Sequence, residues 1–301
     1  MRKLVAQEEI SLAALLAGSG YSKTKAKQLL KHRAISIGNV TQKRHDQVLL
    51  PGDEVCIRTE KEMDEAGKSC PGLTIVHEDE SIIVIDKAAG LLTIATEKEK
   101  NKTAYYRLTA WLKERSGSAR ERIFIVHRLD RDTSGLLVFA RNETVKRVLQ
   151  ERWQDTEKKY AAIVEGIPRE RSGRIASSLR ETRSLRVYSV RDSEGGGRPS
   201  VTNYQLLQAA GKYALLDITL ETGRKNQIRV HLADIGHPVA GDKKYGARTN
   251  PVGRLALHAC FLAFAHPVTG ERLEFRSPLP APFKTLFPGP TGPETGTISK
   301  G

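Results

Sequence analysis

Long apolar runs are absent from this chain, and cross-linking residues are scarce. No stretch approaches the roughly 20 consecutive apolar residues of a membrane-spanning helix, and Met1 to Ile10 carries acids without the hydrophobic centre of a signal peptide. A cytosolic chain that spans no membrane is the expectation. The 301 residues include 3 cysteines. Cys56, Cys70 and Cys260 are odd in number and far apart, which argues against a disulfide framework or a paired Cys-x-x-Cys zinc site and for reduced, structural thiols. His127, His231, His237, His258 and His266 show neither His-x-x-x-His nor His-Glu-x-x-His spacing, so no metal is expected. Acidic charge is also short. Against 49 Lys and Arg stand 35 Asp and Glu, a formal +14, the balance expected when the partner is a polyphosphate.

What is present suffices for a two-part globular chain, since 301 residues exceed one typical domain and 39% are hydrophobic. Near the front, Ser22 to Arg33 holds Lys23, Lys25, Lys27, Lys31 and Arg33 and no acid. Ser22 as N-cap and Ala26, Leu29 and Leu30 on one side make it a helix with a basic outer face. Short strands are expected around Ile35 to Val40, Val48 to Leu50 and Val55 to Ile57, with Pro51-Gly52-Asp53 as a turn. A polar stretch from Glu60 to Gly72 reads as linker, and the Gly, Pro and Thr rich end from Gly289 to Gly301 as a disordered tail.

In the larger remainder, apolar runs at Ile82 to Ile85, Gly135 to Ala140 and Tyr160 to Gly166 read as strands. Tyr213 to Glu221 alternates as a half-buried strand does. Thr103 to Glu114, Glu143 to Trp153 and a segment carrying Ile228, Leu232 and Ile235 ahead of Gly236 follow helical spacing. Strands punctuated by a few helices give an α+β class. Arg169 to Arg198, with Arg171, Arg174, Arg180, Arg183, Arg186 and Arg191, is a basic stretch suited to line an RNA channel.

The densest chemistry lies in His127-Arg128-Leu129-Asp130-Arg131-Asp132-Thr133-Ser134-Gly135. Guanidinium groups flanking Asp130 favour an ionised carboxylate, ready to act as nucleophile or base. An ion-paired surface turn explains the same residues as readily. Asp132 is a second candidate acid, better suited to capping the following turn. Taken without other information, Tyr160 is a packing aromatic in a strand, Arg229 a solvated position on a helix and Leu257 a core residue.

The wording of this segment resembles the signature of the RluA family of RNA pseudouridine synthases. So, in the same order, do Ile85 to Leu92, Lys158 to Gly166, Gly223 to Leu232 with Gly236-His237-Pro238 and Gly241-Asp242, and Arg254 to Ala259 with His266-Pro267 and Pro278-Leu279-Pro280. The resemblance covers residues 73–288. It implies the pseudouridine synthase fold, a bent, mixed but mainly antiparallel sheet with flanking helices and a central cleft. It implies Asp130 as nucleophile or base, Tyr160 stacking on the target base and assisting proton removal at carbon 5, and Arg229 holding Asp130 through a bidentate salt bridge. Leu257 would lie against the base, with Arg128, Arg131 and Arg224 contacting RNA. Ala88 stands where that family has proline, and Lys225-Asn226 stand where it has Thr-His.

Residues 10–58 resemble an S-four RNA-binding domain, a small α/β module whose contacts would come from Lys23, Lys27, Lys31 and Arg33. It departs from that pattern at Gly38-Asn39-Val40. Residues 59–72 would be linker and 289–301 tail. The activity expected is isomerisation of uridine in RNA, ribosomal RNA first, by a monomer that needs no cofactor and binds no DNA. Rival readings are a non-catalytic RNA-binding or ribosome-assembly protein, and a nucleoside hydrolase, which would release free uracil.

Overall fold

The computed structural model describes residues 2–31, 34–37, 40–42, 44–57, 69–97, 99–191 and 196–288, and the chain separates into two units, Met1–Ser69 and Cys70–Gly301. In the first, Ser11 Oγ accepts from Ala14 N at 3.2 Å to start helix Leu12–Gly18. Ser22 Oγ accepts from Lys25 N at 3.1 Å to start helix Lys23–Lys31, satisfying donors a helix N-terminus leaves unpaired. Both helices turn Leu12, Leu16, Leu29 and Leu30 onto Ile35, Leu49, Val55 and Ile57. Strands Arg2–Val5, Glu54–Ile57, Ile35–Ile37 and Val40–Thr41 make a sheet in that spatial order, and Ile10–Ser11 pairs Val48–Leu49. The expected hairpin tip at Gly38 and Asn39 and the polar stretch from 58 to 68 lie outside the described residues, as does the tail from 289.

The second unit is built on one sheet of 12 strands. Its main path runs Val187–Val190, Ser172–Glu181, Arg198–Ala210, Tyr213–Leu220, Glu157–Glu165, Leu257–Ala265, Ser134–Ala140, Ile82–Lys87, Leu73–Glu78 and Ser69–Cys70. At its centre Ser134 meets His258 and Gly135 meets Ala259 in a short parallel joint, while the pairings on either side are antiparallel. Strand Ser134–Ala140 is buried along its whole length, the pattern of a central strand covered on both faces. Thr103 caps helix Ala104–Ser116, which Gly117 ends at φ 70. Asn142 caps helix Glu143–Glu151. Trp153, read as the last turn of that helix, instead begins a 3-10 turn, Trp153–Asp155.

The parallel joint is stapled by polar side chains. Arg254 Nη2 donates to Ser134 Oγ at 3.0 Å, Ser134 Oγ lies 2.9 Å from His258 Nδ1, and Ser277 Oγ lies 3.0 Å from His258 Nε2. Ser277 in turn donates to Asp86. Since Arg254 donates to Ser134 and Ser277 donates to Asp86, one neutral histidine tautomer satisfies the chain, with the proton on Nε2. Burial, reinforced by the Arg254 charge, lowers His258 to about 4.

Candidate active site

Asp130 lies in the loop just ahead of strand Ser134–Ala140, and that loop is held from beneath. Thr93 Oγ1 donates to Leu129 O at 2.8 Å and accepts from Leu129 N at 3.1 Å. Lys87, fully buried, donates to the carbonyls of Ala88 at 3.0 Å, Leu91 at 2.8 Å and Arg131 at 3.1 Å. Burial pushes the Lys87 ammonium down to about 8, opposed by the charges of Asp132 and Asp130. The loop backbone is therefore fixed on both sides of Asp130.

Arg229 reaches Asp130 from helix Gln227–Asp234. Its Nη1 donates to Asp130 Oδ2 at 3.0 Å and to Asn226 Oδ1 at 3.2 Å. The fork itself goes elsewhere: Nε and Nη2 grip Asp242 at 2.6 and 2.8 Å. The bidentate partner of Arg229 is thus Asp242, and Asp130 receives a single bond. Burial opposes the charge on Arg229, but Asp242 first and then Asp130 outweigh it and raise its pKa further. Nor is Arg229 on a solvated face, since its side chain is 14% exposed. No described residue hydrogen-bonds Asp130 Oδ1.

Tyr160 comes from the other side. Strand Glu157–Glu165 shifts register against Leu257–Ala265 between Lys159 and Tyr160, and such a bulge re-aims the next side chain. Tyr160 pairs with Ala259, the residue that Gly135 meets in the parallel joint. Burial and the Asp130 charge raise the phenol pKa well above its ordinary range, so it is protonated at neutral pH.

These residues line one cleft of about 330 Å³. Asp130, Tyr160, Arg229, Arg128, Arg224 and Leu257 all face it. Leu257 is 4% exposed and belongs to the core as well as to the cleft. Arg128 is exposed and bonds to no described residue. Asp132 caps no described residue; its charge acts on Lys87 and Arg254. Arg131 faces away, ion-paired with Glu99 at 2.9 Å. Lys23 and Lys27 are exposed on the first unit, while the side chain of Lys31 and all of Arg33 lie outside the described residues.

Within the arginine run, strands Ser172–Glu181 and Val187–Val190 pair as a hairpin, and its described residues supply no wall of this cleft. Arg174 pairs with Glu221, just past strand Tyr213–Leu220, at 3.4 Å, and within the hairpin Arg180 Nε donates to Tyr188 Oη at 2.8 Å. One cleft wall is made of His127, Trp153 and Lys158. His127 stacks on Trp153 at 4.3 Å, and its Nε2 accepts from Val138 N at 3.1 Å. Burial, then the Lys158 charge, push His127 down to about 3.

Neither Asp242 nor Asn226 was expected to hold Arg229. Asn226 sits at φ 55, a left-handed conformation that asparagine tolerates. There its side chain accepts from Arg229 and donates to Tyr245 Oη at 2.9 Å. The signal in the sequence was an Asn directly ahead of a helix and an Asp between glycine and a turn.

A model of RNA pseudouridylate synthases matches residues 81–234. An uncharacterized RNA pseudouridine synthase of Mycobacterium tuberculosis is 35% identical, covering 91% of this chain and 90% of that one. The uncharacterized RNA pseudouridine synthase YlyB of Bacillus subtilis is 34% identical over 89% of both. The solved structure of human RNA pseudouridylate synthase domain containing 4 aligns with a TM-score of 0.58 and 27% identity, covering 69% of this chain and 88% of that one.

Proposed function

Because the chain belongs to the RNA pseudouridylate synthase family and is an enzyme that isomerises uridine in RNA, we propose that Asp130 carries the reaction, in an RluA-type enzyme acting on ribosomal RNA. The observation that supports this most is the division of labour on one carboxylate. Oδ2 of Asp130 is held by Arg229 at 3.0 Å, and Oδ1 is left without a described partner in a cleft that also contains Tyr160.

Isomerisation breaks the bond from the ribose C1′ to N1, turns the base over and joins C1′ to C5, after which the C5 proton leaves. An ionised carboxylate serves two routes. It attacks C1′ and is displaced by C5, or it takes a ribose proton to give a glycal. In either, Arg229 orients the carboxylate and keeps it charged, and Tyr160, held neutral, stacks on the base and meets C5. No redox step or net hydrolysis occurs, so no organic cofactor is called for.

A stacked uridine must first leave its helix, which costs roughly a few kcal/mol. Arg128, exposed at the cleft and unpartnered among the described residues, fills the vacated position. Leu257 lies under the flipped base and Arg224 over the incoming strand. The first unit is an S-four-like RNA-binding module, with Lys23 and Lys27 presented on the open side of their helix. Pseudouridine mapping in ribosomal and transfer RNA from cells with and without the gene tests the substrate. A ribosomal position that reverts to uridine is expected; a loss confined to transfer RNA overturns the ribosomal assignment.

A further inference from the structure

Beyond the residues given roles above, one ring gathers cations beside the cleft. Tyr245 is buried, and its hydroxyl accepts from Val187 N at 3.2 Å and Asn226 Nδ2 at 2.9 Å, which fixes the ring. Arg229 lies over it at 5.0 Å, Lys244 at 5.6 Å and Arg186 at 5.9 Å. A cation is attracted to the face of an aromatic ring. Three positive charges gathered around one ring also repel one another.

Carboxylates do not balance all of them. Arg229 holds Asp242 and Asp130, and neighbouring Lys225 holds Glu181. Lys244 donates to a neutral carbonyl, Leu185 O, at 3.1 Å, and Arg186 has no ion pair with a described residue. Arg186 is nonetheless placed with care. Thr182 Oγ1 accepts from Arg186 N at 3.0 Å, and Leu185 before it takes φ 62, a left-handed conformation disfavoured for a side chain with a Cβ. Lys244 is also near the chemistry. Burial, then Arg229 and Lys225, lower its pKa, while Asp130 and Asp242 oppose them.

We propose that Lys244 and Arg186, seated over Tyr245 at the rim of the Asp130 cleft, hold a backbone phosphate of the substrate RNA next to the target uridine. The inference rests on the function proposed above, since the phosphate belongs to the strand whose uridine enters the cleft. A phosphodiester suits the pair: the ammonium serves as a point charge and the guanidinium as a fork. It also supplies the missing negative charge.

The test uses the full chain and a fluorescein-labelled 20-nucleotide oligouridylate, in which any nucleotide can occupy the cleft. Affinity is read across a salt series for wild type, Lys244→Ala, Arg186→Ala, the double variant, Lys244→Arg and the control Arg147→Ala, whose side chain is 72% exposed on helix Glu143–Glu151. Each single alanine variant should weaken binding about tenfold and lower the slope of log affinity against log salt by about 0.7, one single-strand phosphate. The double variant should lose little more slope than either single variant, and Lys244→Arg should restore it. Slopes equal to that of Arg147→Ala overturn the site. Tritium release from RNA labelled at uridine C5 separates the two claims: release by wild type with unchanged slopes sinks the phosphate site alone. Absent release with a Lys244-dependent slope sinks the reaction and leaves the site.

Discussion

Arg229 carries two carboxylates on one guanidinium, and they are not equivalent. Asp242 takes the fork and is 2% exposed, while Asp130 takes one N–H and is 25% exposed. The first is an anchor and the second is free to work. Asp242→Asn should therefore cost on the order of 3 kcal/mol in urea denaturation, as breaking a buried pair does, and lower kcat/KM through a loosened Arg229. Unchanged stability and kcat/KM would show that Asp130 and Asn226 suffice to hold the guanidinium. At this scale the sequence disclosed the reactive pair and concealed its support. The pairing of Asp130 with Arg229 came from motif wording, whereas the bond from Arg229 to Asp242 depends on how the 3-10 turn Lys243–Tyr245, which Asp242 precedes, packs against helix Gln227–Asp234, and no spacing reports that.

At the scale of elements, the parallel joint between Ser134–Ala140 and Leu257–Ala265 positions the site, because Gly135, Ala259 and Tyr160 lie side by side across three strands. Gly135 has φ 113, and a Cβ there would meet Ala259 O at 2.2 Å, so only glycine allows the strands this close. Gly135→Ala should destabilise the chain by roughly 3 kcal/mol or more and suppress activity together with stability. An active, fully stable Gly135→Ala would mean the joint tolerates separation. Strands Ile82–Lys87, Ser134–Ala140 and Glu157–Glu165 were legible as apolar runs and the helices from their apolar spacing. Strands Ser172–Glu181 and Arg198–Ala210 were not: the first is mostly exposed on alternate positions and rich in Arg and Ser, so it showed charge where it had no hydrophobic period to show. Its arginines lie outside the lining of the cleft.

At the scale of the whole molecule, neutral histidines shape its response to acid: His127 in the cleft wall, and His231 and His258 in the interior, all held below the ordinary value by desolvation. His127 at about 3 and His258 at about 4 lie below the ordinary 6.5. Between 6.5 and those values the unfolded chain binds protons that the folded chain does not, so their stability contribution is intact above about pH 6.5 and drains away as pH falls toward 4. The scale is on the order of 3 kcal/mol for each. Asp86, whose pKa burial raises, has the opposite sign, its share being present at low pH and lost as pH rises. Melting temperature should fall from pH 6.5 to 4, and His127→Gln, which keeps an acceptor for Val138, should flatten the fall. A profile identical to wild type would remove His127 from this account.

The central claim, that Asp130 does the chemistry and not merely the binding, is tested most directly by Asp130→Asn on RNA tritiated at uridine C5, with oligouridylate affinity read on the same preparation. Rejoining the base through C5 must expel that hydrogen, so wild type should release tritium to water and the variant none, with affinities within about threefold, under 1 kcal/mol. Tritium release by Asp130→Asn near the wild-type rate would contradict the account.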